Sequence, residues 1–140
     1  MEQPLEIGSI MANIPKQEWL VDFHPEFEVW LNGLTDHSLI EEILKHAKAL
    51  KYMGPSVGRP LVDTVKGSKY PNMKELRMQY AGDPWRFLFA FDPLRQAIVL
   101  VGGNKAGKPG WYDVSIPIAD ARYADHLRRQ GTAPRKGGRK

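Results

Sequence analysis

Residues 74–101 constrain the fold most. Three runs, KELRMQY, WRFLFAF and QAIVLV, are separated only by AGDP and DPLR; the first alternates polar with apolar side chains from Glu75 on, and the second alternates aromatic residues with Arg86, Leu88 and Ala90. A period of two belongs to strands, and runs this short between turn residues have room only for hairpins. The segment therefore predicts an antiparallel meander. Asp92-Pro93 carries the residues that a type I turn prefers at its first two positions. Upstream, 61–66 predicts a further short strand before the turn region GSKYPN, and 18–23 alternates as a half-buried strand should.

Helical spacing brackets this sheet. Pro25 fits a first helical turn, and Phe27, Trp30, Leu31 and Leu34 then share a face. A second helix is marked by Ser38 with Glu41 as a capping box, by the stripe Ile40, Ile43, Leu44, Ala47 and Leu50, and by Gly54-Pro55 as its stop. A last helix is predicted over 118–129. The expected class is α+β: two N-terminal helices packed on a small antiparallel sheet, with a C-terminal helix closing the body. The chain divides into a loosely held arm over 1–16, a folded domain over 17–129 and a disordered basic tail over 130–140.

Length and composition bound the chemistry. At 140 residues one domain is the simplest reading. The chain has no cysteine, which removes disulfides, thiolate nucleophiles and Cys-ligated zinc. No basic leader and no run near the roughly 18 apolar residues of a membrane span are present, so the reading is a soluble cytoplasmic protein with no membrane contact. The net charge of +4 conceals a division: residues 1–44 carry −8, 45–108 carry +8, 109–127 carry −2 and 128–140 carry +6. A basic middle fits a polyanionic ligand, or charges that solvate opposite faces.

One motif resembles a nucleotide loop. In VGGNKAGKPGWYD (101–113), Gly102, Gly107 and Lys108 have the G-x-x-x-x-G-K spacing of a P-loop, after an apolar strand. The motif also needs Ser or Thr after the lysine and a helix starting there. Pro109 and Gly110 stand in that place and read as a turn, so the stretch is expected to be a loop off the sheet.

Strand alternation assigns the charges to a face. Glu75, Arg77 and Gln79 oppose Lys74, Leu76, Met78 and Tyr80; in the next strand Arg86, Leu88 and Ala90 oppose Trp85, Phe87, Phe89 and Phe91. A four-residue AGDP loop would pair Tyr80 with Trp85 and leave Arg77 and Arg86 as diagonal neighbours roughly 7 to 8 Å apart, with room for a phosphate between them. A hairpin over DPLR would pair Arg86 with Val101. Lys105, Lys108, Trp111 and Tyr112 would then hang off the strand end beside Arg86. On this reading alone, the two arginines could equally be ordinary exposed strand residues, and Trp111 a plug over the sheet end.

Four blocks, KGSKYPNMKELR, PWRFLFAFDPLR, IVLVGGNKAGKPGWYD and IPIAD, resemble the phage-derived HigB-like branch of the RelE/ParE toxin superfamily. The resemblance covers about 19–127 and implies a RelE-like fold. It implies the toxin of a type II toxin–antitoxin module, a metal-independent endoribonuclease that cuts ribosome-bound mRNA and needs no cofactor. Its implied partner is a cognate helix-turn-helix antitoxin. It points to Arg86 as the contact to the scissile phosphate, to Arg77 and Lys74 as a basic cluster, and to Lys105 or Lys108 with Tyr112 in the last loop. The histidine that some relatives carry near this loop is absent, and the four histidines lie outside the meander.

For such chemistry the arginines suit electrostatic stabilisation of the phosphorane, because they stay charged and match phosphate geometry. Lys105 or Tyr112 would move protons, and Glu75 would serve as base or as an ion pair of Arg77. Lys74, Lys108 and Trp111 would help hold RNA, with Trp111 or Tyr112 stacking on a base. The alternatives are a ParE-like, non-catalytic inhibitor of DNA gyrase and an inactive, antitoxin-binding remnant.

Overall fold

The computed structural model describes residues 18–132. The arm expected over 1–16 and nearly all of the basic tail lie outside the described residues. Elements follow in the order β1 (Leu20–Phe23), α1 (Pro25–Asn32), α2 (His37–Met53), a short 3-10 turn (Gly54–Ser56), β2 (Val62–Thr64), β3 (Met73–Tyr80), β4 (Asp83–Phe91), β5 (Gln96–Asn104) and α3 (Trp111–Gln130). The five strands form one sheet in the order β1-β5-β4-β3-β2. The class is α+β, and the antiparallel meander is its centre. Strand β1 makes the sheet mixed, running parallel to β5 at one edge. Among the described residues no helix is long and apolar enough to cross a membrane.

Each sheet face buries its own cluster. Phe27, Leu31, Leu39, Ile43 and Leu50 of α1 and α2 pack on Leu76, Met78, Phe87, Phe89 and Val99. On the other face, Ile116, Ala119, Tyr123 and Leu127 of α3 cover Met73, Leu88, Ala90, Ile98 and Leu100. At about 25 cal/mol per Å² of apolar surface, burial on two faces is what a sheet of this length needs to outweigh its ordering entropy. The face on which the arginines were placed is thus a packed face over most of its length. Only the end nearest the start of α3 is left to charged side chains.

Four sequence expectations change. The cap of α2 is Asp36, whose carboxylate accepts from the Leu39 amide at 3.1 Å, and not Ser38. The β3–β4 connection is a two-residue turn, Ala81-Gly82, with φ of 51° and 84°, the geometry that matches strand twist. Tyr80 therefore pairs with Asp83, and Arg77 lies directly opposite Arg86. Strand β5 runs on to Asn104 with an irregularity between Leu88 and Phe89, so Arg86 pairs with Gly103 and not Val101. Last, α3 starts at Trp111, immediately behind Pro109-Gly110. A helix does follow the near-match to a P-loop; proline in the Ser/Thr place still breaks the motif.

Gly102 and Gly103 are strand residues set by close packing. A Cβ on Gly102 would stand 2.3 Å from Cδ1 of Phe87, and one on Gly103 would stand 2.8 Å from Nε1 of Trp111. Each glycine lets an aromatic ring lie against β5, one per face.

Candidate functional site

The site is built where β3, β4 and the first turn of α3 meet. Strand pairing fixes Arg77 across from Arg86, on the face that α3 covers. Two like charges directly opposite repel, so this pair has a local cost unless an anion joins it. One anion is present. Glu75, two residues from Arg77 on the same face, brings Oε1 to 3.8 Å from Nε of Arg86. Both are buried, at 8% and 6% exposure.

Tyr112 closes the arrangement from above. Gly103 leaves room for Trp111 to seat on β5, and the next residue then donates its hydroxyl to Oε1 of Glu75 at 2.5 Å. Burial, with the hydrogen bond and charge of Glu75 added, pushes the Tyr112 phenol up to about 12; Arg86 opposes that shift. The hydroxyl therefore keeps its proton at neutral pH and acts as a donor. The same ring carries Lys105, whose Nζ lies 5.9 Å from its centroid.

Arg86 is incompletely satisfied. Nη1 donates to the Trp85 carbonyl at 3.0 Å, but Nε is buried with no hydrogen-bond partner. At 3.8 Å the Glu75 oxygen is an electrostatic neighbour and not an acceptor. Arg77 and Arg86 line an open depression of about 370 Å³ with Pro60, Leu61 and Gln79. Among the described residues Arg77 has no carboxylate partner. Arg77 and Arg86 thus face each other beside one buried carboxylate, with Lys105 over the ring of the tyrosine that closes it.

Of the sequence-predicted residues, Arg77, Arg86, Lys105 and Tyr112 are brought together. Lys108 is exposed in the loop and lines a shallow basin with Lys105 and Tyr112. Trp111 packs against Tyr112 and the α3 cluster, which is the plug over the sheet end. Lys74 stands apart, on the opposite face of β3, with Nζ 3.5 Å from Oγ1 of Thr64. Glu75 pairs with Arg86 and Tyr112, not with Arg77 as its spacing on β3 implied. Among the described histidines, His24 caps α1 and meets Asp125, while His126 meets Asp92, so both are taken up in packing.

The family described as phage derived protein Gp49-like matches residues 29–124. In Mycobacterium tuberculosis, "Putative toxin HigB2" is 46% identical over 140 residues, covering 98% of this chain and 69% of that protein. "Putative toxin HigB3" of the same organism is 48% identical over 104 residues, 74% of this chain and 89% of the relative. The chain belongs to the Gp49-like, HigB-type family. An arginine double mutant of the E. coli toxin RelE in its free state aligns with a TM-score of 0.48 at 10% identity, over 81% of this chain and 98% of that one. In this Gp49-like chain the Arg77–Arg86 pair lies within the matched region, and so does the whole of the cluster around Tyr112.

Proposed function

We propose that this protein is the toxin of a type II toxin–antitoxin module and that it cuts ribosome-bound mRNA without a metal ion. The observation that carries the reading is the pairing of Arg77 with Arg86 beside a single buried carboxylate. An unsatisfied guanidinium next to an excess of positive charge is a receptor for a phosphate, and the fork geometry of arginine suits a phosphorane better than a lysine would.

In this scheme the ribose 2′-hydroxyl attacks the adjacent phosphorus and the 5′-oxygen of the next nucleotide leaves, giving a cyclic phosphate. Arg77 and Arg86 hold the non-bridging oxygens as charge builds. Stabilisation of this kind is worth most in a water-poor site, and Arg86 is placed in one. Tyr112, protonated, fixes the carboxylate of Glu75 against Arg86 and so orients the guanidinium. Lys105 gives an ammonium proton to the leaving 5′-oxygen, and water takes the proton of the attacking 2′-hydroxyl. The ribosome contributes by holding the mRNA in a reactive pose. The proposed partner is a cognate helix-turn-helix antitoxin, and the proposed compartment is the cytoplasm.

Induced expression tests the reading. Growth should stop and translated mRNA should be truncated, and Arg86→Ala should abolish both. Because Arg86 is buried, Arg77→Ala serves as the variant whose fold is safer, with the same expected loss. Intact mRNA alongside broken DNA would overturn the proposal in favour of a gyrase poison, and growth arrest with neither would overturn it outright.

A further inference from the structure

A second depression lies near the arginine site without belonging to it. It has a volume of about 470 Å³ and lies between the loop 66–70 and α3. Lys66 and Lys69 stand exposed at its rim, Tyr70 and Tyr112 line it, and Ile116 and Ala121 contribute apolar surface. Tyr112 is the shared element: its ring lines this cleft and the Lys105–Lys108 basin, while its hydroxyl reaches Glu75 beside Arg86. Tyr112 therefore stands between the cleft that carries Lys66 and Lys69 and the basin that carries Lys105, with its hydroxyl on the carboxylate beside Arg86.

The loop is held in place. Asp120 of α3 is buried and accepts from Oγ of Ser68 at 2.5 Å and from the Lys69 amide at 2.9 Å. Ser68 in turn accepts from the Tyr70 amide at 2.9 Å, and the Tyr70 ring meets Tyr123 edge-on at 4.8 Å. Asp120 is thus spent on the backbone and on Ser68. Asp113 is the other carboxylate lining the cleft; it is exposed and can accept from the exocyclic amine of a base.

We propose that this cleft is a nucleotide subsite: it takes one base of single-stranded RNA next to the phosphate held by Arg77 and Arg86, while Lys66 and Lys69 hold the adjoining backbone phosphate. Aromatic walls with cations at the rim are the chemistry that single-stranded nucleic acid selects, base faces against rings and phosphates against lysines. An acidic peptide would use the lysines but would not need the tyrosines. The proposal rests on the ribonuclease reading for its orientation and not for its binding chemistry.

The test uses the full chain, isotope-labelled, titrated with a single-stranded hexanucleotide whose 2′-hydroxyls are all methylated, so that binding is read without cleavage. Amides of 66–70 should shift in step with those around Arg77 and Arg86. Lys66→Ala/Lys69→Ala should lower the slope of log affinity against log salt by about 0.7, the value for one phosphate contact on a single strand. Tyr70→Leu should weaken binding roughly 5- to 100-fold through lost stacking. A silent 66–70 segment, an unchanged salt slope, or shifts raised by an acidic peptide and not by RNA would each overturn the subsite. Cleavage of programmed ribosomes by the native protein is scored separately. RNA bound across both sites with no cleavage removes the nuclease reading and keeps the subsite; cleavage with 66–70 silent does the reverse.

Discussion

Removing one hydroxyl tests the electrostatics of the site. In Tyr112→Phe the Glu75 oxygen loses the donor that lies 2.5 Å away and keeps only Arg86, at 3.8 Å. The Tyr112 phenol stands at about 12 in the folded protein, against about 10 in an unfolded chain. A folded-state value above the unfolded one means stability that is present in full below pH 10 and lost as pH rises towards 12. Two units would correspond to about 2.7 kcal/mol, but the ring is partly open to solvent, and screening reduces the expectation to about 1–2 kcal/mol. At pH 8 the variant should be less stable by about 1–2 kcal/mol, because buried Glu75 loses a hydrogen-bond donor, or about 3–10 °C in Tm for a domain of this size. The difference should close between pH 10 and pH 12, because the native protein loses stability there and the variant has no such group. Urea unfolding followed by tryptophan fluorescence, at steps from pH 8 to 11.5, measures it. Tyr80 and Tyr123, whose phenols are also raised, are common to both proteins and cancel. Equal stabilities at pH 8, or a difference that does not change up to pH 11.5, would refute the coupling of Tyr112 to Glu75.

Two further outcomes follow from packing. Gly102→Ala forces a Cβ to 2.3 Å from Phe87 and 3.1 Å from Phe27, both fully buried rings, and should cost about 3 kcal/mol, whereas Gly110→Ala, with open space around it, should stay within about 0.5 kcal/mol; thermal melts compare the two. Asp120→Ala leaves Ser68 and the Lys69 amide without their acceptor, which should cost about 1–3 kcal/mol and raise hydrogen exchange at Lys69 well above that of neighbouring strand amides.

Parity was legible in the chain and register was not. Alternation alone places Arg77 and Arg86 on one face, because a shift of two residues preserves sidedness while changing partners. The pairing that makes them direct neighbours depends on Ala81 adopting a positive φ, which a non-glycine residue seldom does. The irregularity near Leu100 was hidden for a related reason: AIVLV is apolar throughout, so no alternation marks where two successive residues face the same cluster. Helix α3 began earlier than its pattern announced. Its buried stripe includes Ser115, Asp120 and His126, polar side chains that periodicity counts as surface, and Pro117 sits inside it. The sequence offered Glu75 as a base or as an ion pair of Arg77; the direct Arg77–Arg86 pairing and the arrival of Tyr112 set it beside Arg86 instead.

The burial of Arg86 bears on function more than on stability. A buried ion pair seldom adds net stability, since desolvation offsets its attraction, and this one leaves a guanidinium nitrogen without an acceptor. Placing a second arginine directly across the strand adds repulsion. Both costs fall in a sheet whose other positions agree with their surroundings, aromatic residues against α1 and α2 and aliphatic ones against α3. Local conflict inside an otherwise consistent fold marks a place held for something other than folding. On the proposed reading, a phosphate in the depression beside Arg77 and Arg86 gives the two guanidiniums a shared counter-charge. The buried carboxylate then has a second consequence: by neutralising one arginine it lets the site fold empty, and its grip through Tyr112 holds the guanidinium at the end of β4 where the depression opens.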